Sequence, residues 1–277
     1  MGPASRAQET HETFVSVGGQ RLWTSIQGRG ASFPLLLIMG FGGNMEMWRP
    51  LRRALGPYET IAFDAPGLGR SAPPRRPLRA EGMADLVTGM LDNMGYRQVD
   101  VLGVSLGGGV AQQLAHQAPE RVRKLILCAT SVGRGAVGRA TIDESGGKSP
   151  LQTLSRPSSR ARIATPAGRA ATLGDRSRDP LIQSDLASIA AQRPSLLGQA
   201  AQLYGVIGWS SKTWVSTLRQ PTLVMEGAAD RIVAPGNGRL LHSLIPDARY
   251  YLVHGGGHLF LGFQAQECAL VIRDFLA

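Results

Sequence analysis

Two cysteines in 277 residues allow one disulfide at most, so no disulfide framework holds this chain together. A chain of this length buries roughly 75% of its unfolded surface and needs none. Both cysteines stand in apolar company, Cys128 in Lys124-Leu-Ile-Leu-Cys-Ala-Thr130 and Cys268 on a C-terminal amphipathic segment. They read as small core residues; whether they meet in space is left open. Long hydrophobic runs are also missing. The longest, around Phe33 to Phe41, is far too short to span a bilayer. Met1 to Glu12 is polar and lacks the apolar centre of a signal peptide. The expectation is a soluble, cytoplasmic protein made without export. No metal-ligand spacing and no phosphate-binding loop is present, so neither a metal nor a cofactor is expected.

Lysine is scarce too, with three against 27 arginines, in a chain of net charge +10. Aromatics make up 6% of the residues. The basic residues are scattered and not interleaved with aromatics, and no nucleic-acid motif accompanies them, which argues against a nucleic-acid partner. The arginine bias is read as genome composition. A preference for anionic surfaces stays open.

Glycine, in contrast, is plentiful at 35 residues, and it is concentrated at turns between apolar runs. Thr13 to Val17, Gly18-Gly19 and Arg21 to Gln27 read as a β-hairpin. Pro34 to Met39 is a continuous apolar run, as expected of a strand buried on both faces of a parallel sheet. Thr60 to Asp64, Val99 to Val104, Leu125 to Ala129, Thr222 to Glu226 and Arg249 to Val253 repeat the type. Helical patterns lie between them at Trp48 to Leu55, Met83 to Met94, Leu106 to Ala118, Gly238 to Ile245 and Ala265 to Leu276. Strands alternating with helices give an α/β fold, a mostly parallel sheet covered by helices on both faces.

One region breaks the rhythm. From Ser131 to Lys212 there is no strand-like run, and eleven basic residues face five acids. Modest helical patterns occur at Pro180 to Ala191 and Ser195 to Ile207. Because the sheet resumes at Thr222, this segment reads as a mainly helical cap inserted into one large domain. The division is core 1–130, cap 131–212 and core 213–277, with Arg134 to Asp175 expected to be partly mobile.

The chemistry is concentrated in Val101-Leu-Gly-Val-Ser-Leu-Gly-Gly-Gly109, a strand entering Gly-x-Ser-x-Gly and then a helix. This is the pattern of a nucleophile elbow, in which a serine sits on a tight strand-to-helix turn. Gly103 and Gly107 flank a turn so close that a Cβ at either would meet its neighbours. A serine hydroxyl needs a base, and the base needs a group to hold its tautomer. In the order Ser, acid, His, Ser105 is followed by Asp230, just past the strand Thr222 to Glu226, and His258, just past the next strand. All three fall at the carboxyl edge of the predicted sheet, where open α/β sheets place their sites. His254 competes with His258, but it ends a strand while His258 lies on a glycine loop able to reach inward. Asp230 could instead cap the helix near Gly236. His11, His116 and His242 read as surface or helix residues. Asp64, in Phe63-Asp-Ala-Pro-Gly-Leu-Gly-Arg-Ser71, reads as a turn residue accepting local N–H groups.

An oxyanion needs two backbone donors. Leu106, after the nucleophile, is one; Phe41, in Met39-Gly-Phe-Gly-Gly-Asn44 after a strand, is the other. Phe41, Met45, Met47, Trp209, Trp214 and Phe260 are candidates for an apolar substrate pocket, each equally open to a core-packing reading.

Met39 to Asn44, Phe63 to Arg70, Gly103 to Gly108 and Gly257-His-Leu-Phe-Leu261 resemble the α/β-hydrolase superfamily. Within it they are similar to intracellular medium-chain-length poly(3-hydroxyalkanoate) depolymerases, most closely at Ala111 to His116, Pro119-Glu-Arg121, Gly208-Trp209 with Trp214, and Gln220 to Val224. The likeness covers about residues 14–130 and 205–277. It implies triad roles for Ser105, Asp230 and His258, and a serine ester hydrolase acting on apolar 3-hydroxyacyl polyesters or oligomers. Leu106 stands where that family often has an aromatic, and Ala228 and Ala229 where it is usually acidic. The cap from Arg134 to Asp175 follows the family poorly and is unusually basic. A broad carboxylesterase or lipase for short- to medium-chain esters is therefore the alternative, and C–C hydrolysis or perhydrolysis by the same triad a further one. Halide-releasing and epoxide-opening chemistry is disfavoured because it needs a carboxylate where Ser105 stands. A binding module that keeps only the fold is the non-enzymatic alternative. The partner is a small or polymeric ester; association with a polyester granule or anionic surface, and the oligomeric state, are left open.

Overall fold

A computed structural model describes residues 10–28, 30, 33–137, 180–192 and 194–277. Its sheet is built from β1 (Thr10–Val17), β2 (Gln20–Gln27), β3 (Leu35–Ile38), β4 (Thr60–Phe63), β5 (Val99–Val104), β6 (Val122–Cys128), β7 (Thr222–Gly227) and β8 (Ala248–Val253). The order is β1-β2-β4-β3-β5-β6-β7-β8. The hairpin β1–β2 is antiparallel, as is its join to β4, and every other pair is parallel. The apolar runs fall where the sequence predicts them. β3, β4 and β5 are buried at every residue because both faces of a central parallel strand are covered.

Alternation along the strands divides the core in two. Leu36, Ile38 and Val101 turn to the face covered by α2 (Ala80–Asn93) and α3 (Leu106–Gln117). Leu35, Leu37, Leu102 and Val104 turn to the other, against α1 (Arg49–Leu55) and the later C-terminal helix. Cys128 and Cys268 are both free and buried in this second cluster, and burial pushes both thiols up.

Between β6 and β7 the chain leaves the sheet and forms a helical cap, described at α4 (Pro180–Ala191) and α5 (Leu196–Val206). Ser195 caps α5, accepting from Gly198 N–H at 2.9 Å while its hydroxyl donates to Gly67 O at 2.7 Å. The cap is thus pinned to the loop after β4. α4 docks on the segment before and within α1: Arg53 pairs with the buried carboxylate of Asp185, and Arg49 donates to Ser188 Oγ at 2.6 Å. Of the stretch Arg134 to Asp175, only the part up to Val137 is described; the remainder, with Arg139, Lys148, Arg156, Arg160, Arg162, Arg169, Arg176, Arg178 and Arg193 of the basic segment, lies outside the described residues.

The last part of the chain forms α6 (Asn237–Leu244), α7 (Phe260–Phe263) and α8 (Ala265–Leu276). Glu226, at the end of β7, accepts from the Gly236 and Gly238 N–H groups. The N-cap of α6 is Gly236, and Glu226 satisfies the N–H groups there, while Asp230 accepts from Ile232 and Val233 N–H instead. Among the described residues no helix is long and apolar enough to cross a membrane.

Candidate active site

β5 ends at Val104 and α3 begins at Leu106, leaving Ser105 alone to turn the chain. It does so at φ 56°, ψ −121°, a conformation an L-residue holds only when its surroundings fix it, at a cost of about 1–3 kcal/mol. The fixing groups are visible. Ser105 N–H donates to Cys128 O at 2.9 Å, and Ser105 O accepts from Gly108 N–H and Thr130 Oγ1 at 3.0 and 2.7 Å. The flanking glycines are required by space. A Cβ on Gly107 would stand 2.2 Å from Ile38 O, and one on Gly103 would stand 2.4 Å from Gly107 O.

The loops after β7 and β8 are bonded to each other, Ala229 N–H donating to Gly256 O at 2.8 Å. That contact brings Asp230 and His258 together: His258 Nδ1 lies 2.8 Å from Asp230 Oδ2. The other oxygen, Oδ1, accepts from Ile232 and Val233 N–H at 2.8 and 3.0 Å. Asp230 is 3% exposed, so its carboxylate has one free direction and the imidazole occupies it. A carboxylate at Nδ1 selects the tautomer with its proton there and leaves Nε2 as a base. His254 is exposed on the same loop and has no such partner among the described residues; its carbonyl accepts from Gln264.

Beside Ser105 runs the loop after β3. A Cβ on Gly40 would stand 3.6 Å from Ser105 Oγ, so this loop passes directly over the hydroxyl. Phe41 N–H donates to no group among the described residues, and Leu106, opening α3, has no partner within its helix. Asp64 is buried and accepts from Met45 N–H and Arg70 N–H at 2.8 and 2.9 Å. It is a turn residue as the sequence suggests, but it also holds the turn Met45–Trp48 that follows the loop. Burial pushes its carboxyl up to about 6, against those two hydrogen bonds.

A mostly apolar cavity of about 40 Å³ opens under α5, lined among others by Leu106, Gly109, Leu78, Met83, Val206 and Trp209. Of the six pocket candidates only Trp209 lines it, its indole held by Gln113 Oε1 at 3.0 Å. Met45 and Phe260 are 3% and 1% exposed within the core against α1 and α8. Trp214 stacks on His116 at 4.3 Å, and neither Phe41 nor Met47 reaches the cavity wall. These five stand at packing or loop positions outside this cavity; an apolar residue near a motif looks the same in sequence whether it faces core or cleft. Sequence reasoning missed Gln202 of α5, which lines the cavity and accepts from Gly42 N–H at 2.8 Å. A glutamine in a helix carries no motif that could have found it. It also missed Arg79, which donates to the Tyr204 and Ile207 carbonyls at the end of α5. Among the described residues no group of three His, Cys, Asp or Glu side chains is placed to hold a metal ion.

A family profile described as alpha/beta hydrolase fold matches residues 34–265. The chain is 38% identical over 267 residues to the poly(3-hydroxyalkanoate) depolymerase of Ectopseudomonas oleovorans, covering 95% of this chain and 91% of that one. Among solved structures, a hydrolase from Pseudomonas aeruginosa PA01 superposes with TM-score 0.76 at 27% identity, over 96% of this chain and 98% of that one. The enol-lactonase from Burkholderia xenovorans LB400 gives the same TM-score at 22% identity, over 95% and 99%, a likeness of fold.

Proposed function

The chain belongs to the alpha/beta hydrolase fold family, and on that premise we propose that it is a serine ester hydrolase of broad carboxylesterase type, acting on short- to medium-chain apolar esters. The observation that carries this reading is the 2.8 Å contact of His258 with Asp230, at the same sheet edge as a serine held in an elbow. In this mechanism Ser105 Oγ bonds to the ester carbonyl carbon as His258 Nε2 takes the hydroxyl proton. Asp230 keeps the imidazole oriented and stabilises its charge. The N–H groups of Phe41 and Leu106 bind the oxyanion, each worth on the order of 3 kcal/mol. The C–O bond to the alcohol breaks as His258 returns the proton to it. Water, deprotonated by His258, then attacks the acyl-enzyme, releasing the acid and restoring Ser105. No cofactor enters this scheme. The apolar cavity beside Leu106 is the proposed acyl site, and the insertion between β6 and β7, described at α4 and α5, is its proposed cap.

A second reading rests on the 38% identity to a polyester depolymerase: the substrate is an apolar 3-hydroxyacyl polyester or its oligomers. Exposed Leu196, Leu197 and Ile207 on the cap, at 86%, 58% and 64%, suit contact with such a water-insoluble surface. A panel of p-nitrophenyl esters beside polyester emulsions separates the two. Turnover of short esters without clearing of the emulsion is the expected result; clearing with poor small-ester turnover would move the assignment to the polyester.

A further inference from the structure

The loop proposed to carry an oxyanion donor is anchored by the cap. Gly40 to Gly43 forms a tight turn, closed by Gly43 N–H donating to Gly40 O at 3.2 Å, with Gly42 at φ 66° in its third position. A turn of this kind requires a residue tolerant of the left-handed region there. The peptide plane that contains Gly40 O also contains Phe41 N–H, so this bond orients the donor. The central plane, from Phe41 C=O to Gly42 N–H, has no partner inside the turn and is the one free to flip. Gly42, on one side of it, tolerates either orientation of this plane.

Gln202 supplies the missing constraint. Its Oε1 accepts from Gly42 N–H at 2.8 Å across 160 residues of sequence, and the residue is 7% exposed. Only the oxygen of the carboxamide can accept from an N–H, so the side chain reads the orientation of that plane. A second tie lies at the end of the loop. Asn44 accepts from Glu46 N–H and donates to the Ile189 and Gln192 carbonyls, at 3.3 and 3.2 Å, where α4 ends. Both cap helices therefore hold the loop that passes beside Ser105.

We propose that Gln202 is a positioning residue: by accepting from Gly42 N–H it locks the 40–43 turn with Phe41 N–H aimed at the reacting carbonyl, so that seating of the cap completes the oxyanion hole. This rests on the assignment of Ser105 as nucleophile and Phe41 as donor made above. It also gives the cap a role in the chemical step beyond covering the acyl group. Gly42 N–H, being occupied, is not itself an oxyanion donor.

The test is steady-state hydrolysis of p-nitrophenyl butyrate by Gln202→Leu and by Gln202→Met, together with inhibition by an alkyl trifluoromethyl ketone. That ketone adds to a serine hydroxyl as a tetrahedral adduct and so needs the oxyanion hole. Both variants should lose about ten- to a hundred-fold in kcat, a fraction of or up to one donor's usual worth, with KM within about two-fold. The ketone should bind more weakly by the same factor. A fluorophosphonate should still label Ser105 to completion in both, which shows a folded site with its nucleophile intact. Unchanged kcat and ketone affinity, or a rise in KM alone, would overturn the positioning role while leaving the nucleophile assignment standing. Failure of the unsubstituted protein to take label at Ser105 would overturn both.

Discussion

His258 Nδ1 and Asp230 Oδ2 lie 2.8 Å apart although 28 residues separate them. Each is carried by a different loop at the carboxyl edge of the sheet, and the backbone bond from Ala229 to Gly256 sets the distance between the loops. The other carboxylate oxygen is already occupied by Ile232 and Val233 N–H. The carboxylate is thus held on both oxygens, and its place at Nδ1 selects the tautomer that carries the proton there.

Asp230→Asn tests that relationship. An amide in the same place can present an N–H to Nδ1 and select the wrong tautomer. The expected loss in kcat is on the order of 10⁴ for ester hydrolysis, as in analogous triads, with the thermal unfolding midpoint little changed. Turnover close to that of the unsubstituted protein would remove Asp230 from the mechanism.

Gly107→Ala tests the elbow by packing alone. The added methyl would stand 2.2 Å from Ile38 O and 2.7 Å from Met39 O, backbone atoms that cannot rotate away. Overpacking of this kind costs about 1–3 kcal/mol or more. Urea unfolding should show that loss together with lower activity, because strand β3 and the loop after it must shift. A variant as stable and as active as the parent would contradict the close approach.

Much of this was legible in the sequence, for identifiable reasons. Strands such as Val99–Val104, buried at every residue, are apolar at nearly every position because helices cover both faces. The elbow announces itself because only glycine fits at 103 and 107. Asp230 and His258 follow strands in the order the chemistry requires. The contacts that join the cap to the core were not legible. Arg53 finds Asp185 across 132 residues, and Gln202 finds Gly42 across 160, with common residue types and no fixed spacing. Met45 and Phe260 are open to either reading in the sequence, because their type and proximity to motifs suit a cleft and a core alike; the packing against α1 and α8 shows them buried.

Asp64 gives a pH dependence of stability with a definite sign. Burial raises its carboxyl from 3.8 to about 6, so between those values the folded protein binds the proton that the unfolded chain has released. Stability from this group is fully present below about pH 4 and is lost as pH rises through about 6. Asp64→Asn cannot titrate. The unfolding free energy of the parent minus that of Asp64→Asn should therefore fall by on the order of 3 kcal/mol between pH 4 and pH 7. A difference that rises over the same range would mean that the two N–H bonds outweigh burial.

The most direct test of the central claim is covalent labelling by a fluorophosphonate, read by intact mass and by peptide mapping, beside ester turnover of the same samples. One label per chain is expected, on Ser105, with no label on Ser105→Ala and its turnover reduced by a factor on the order of 10⁶. Label on another residue, or a Ser105→Ala protein that hydrolyses esters at the parent rate, would contradict it.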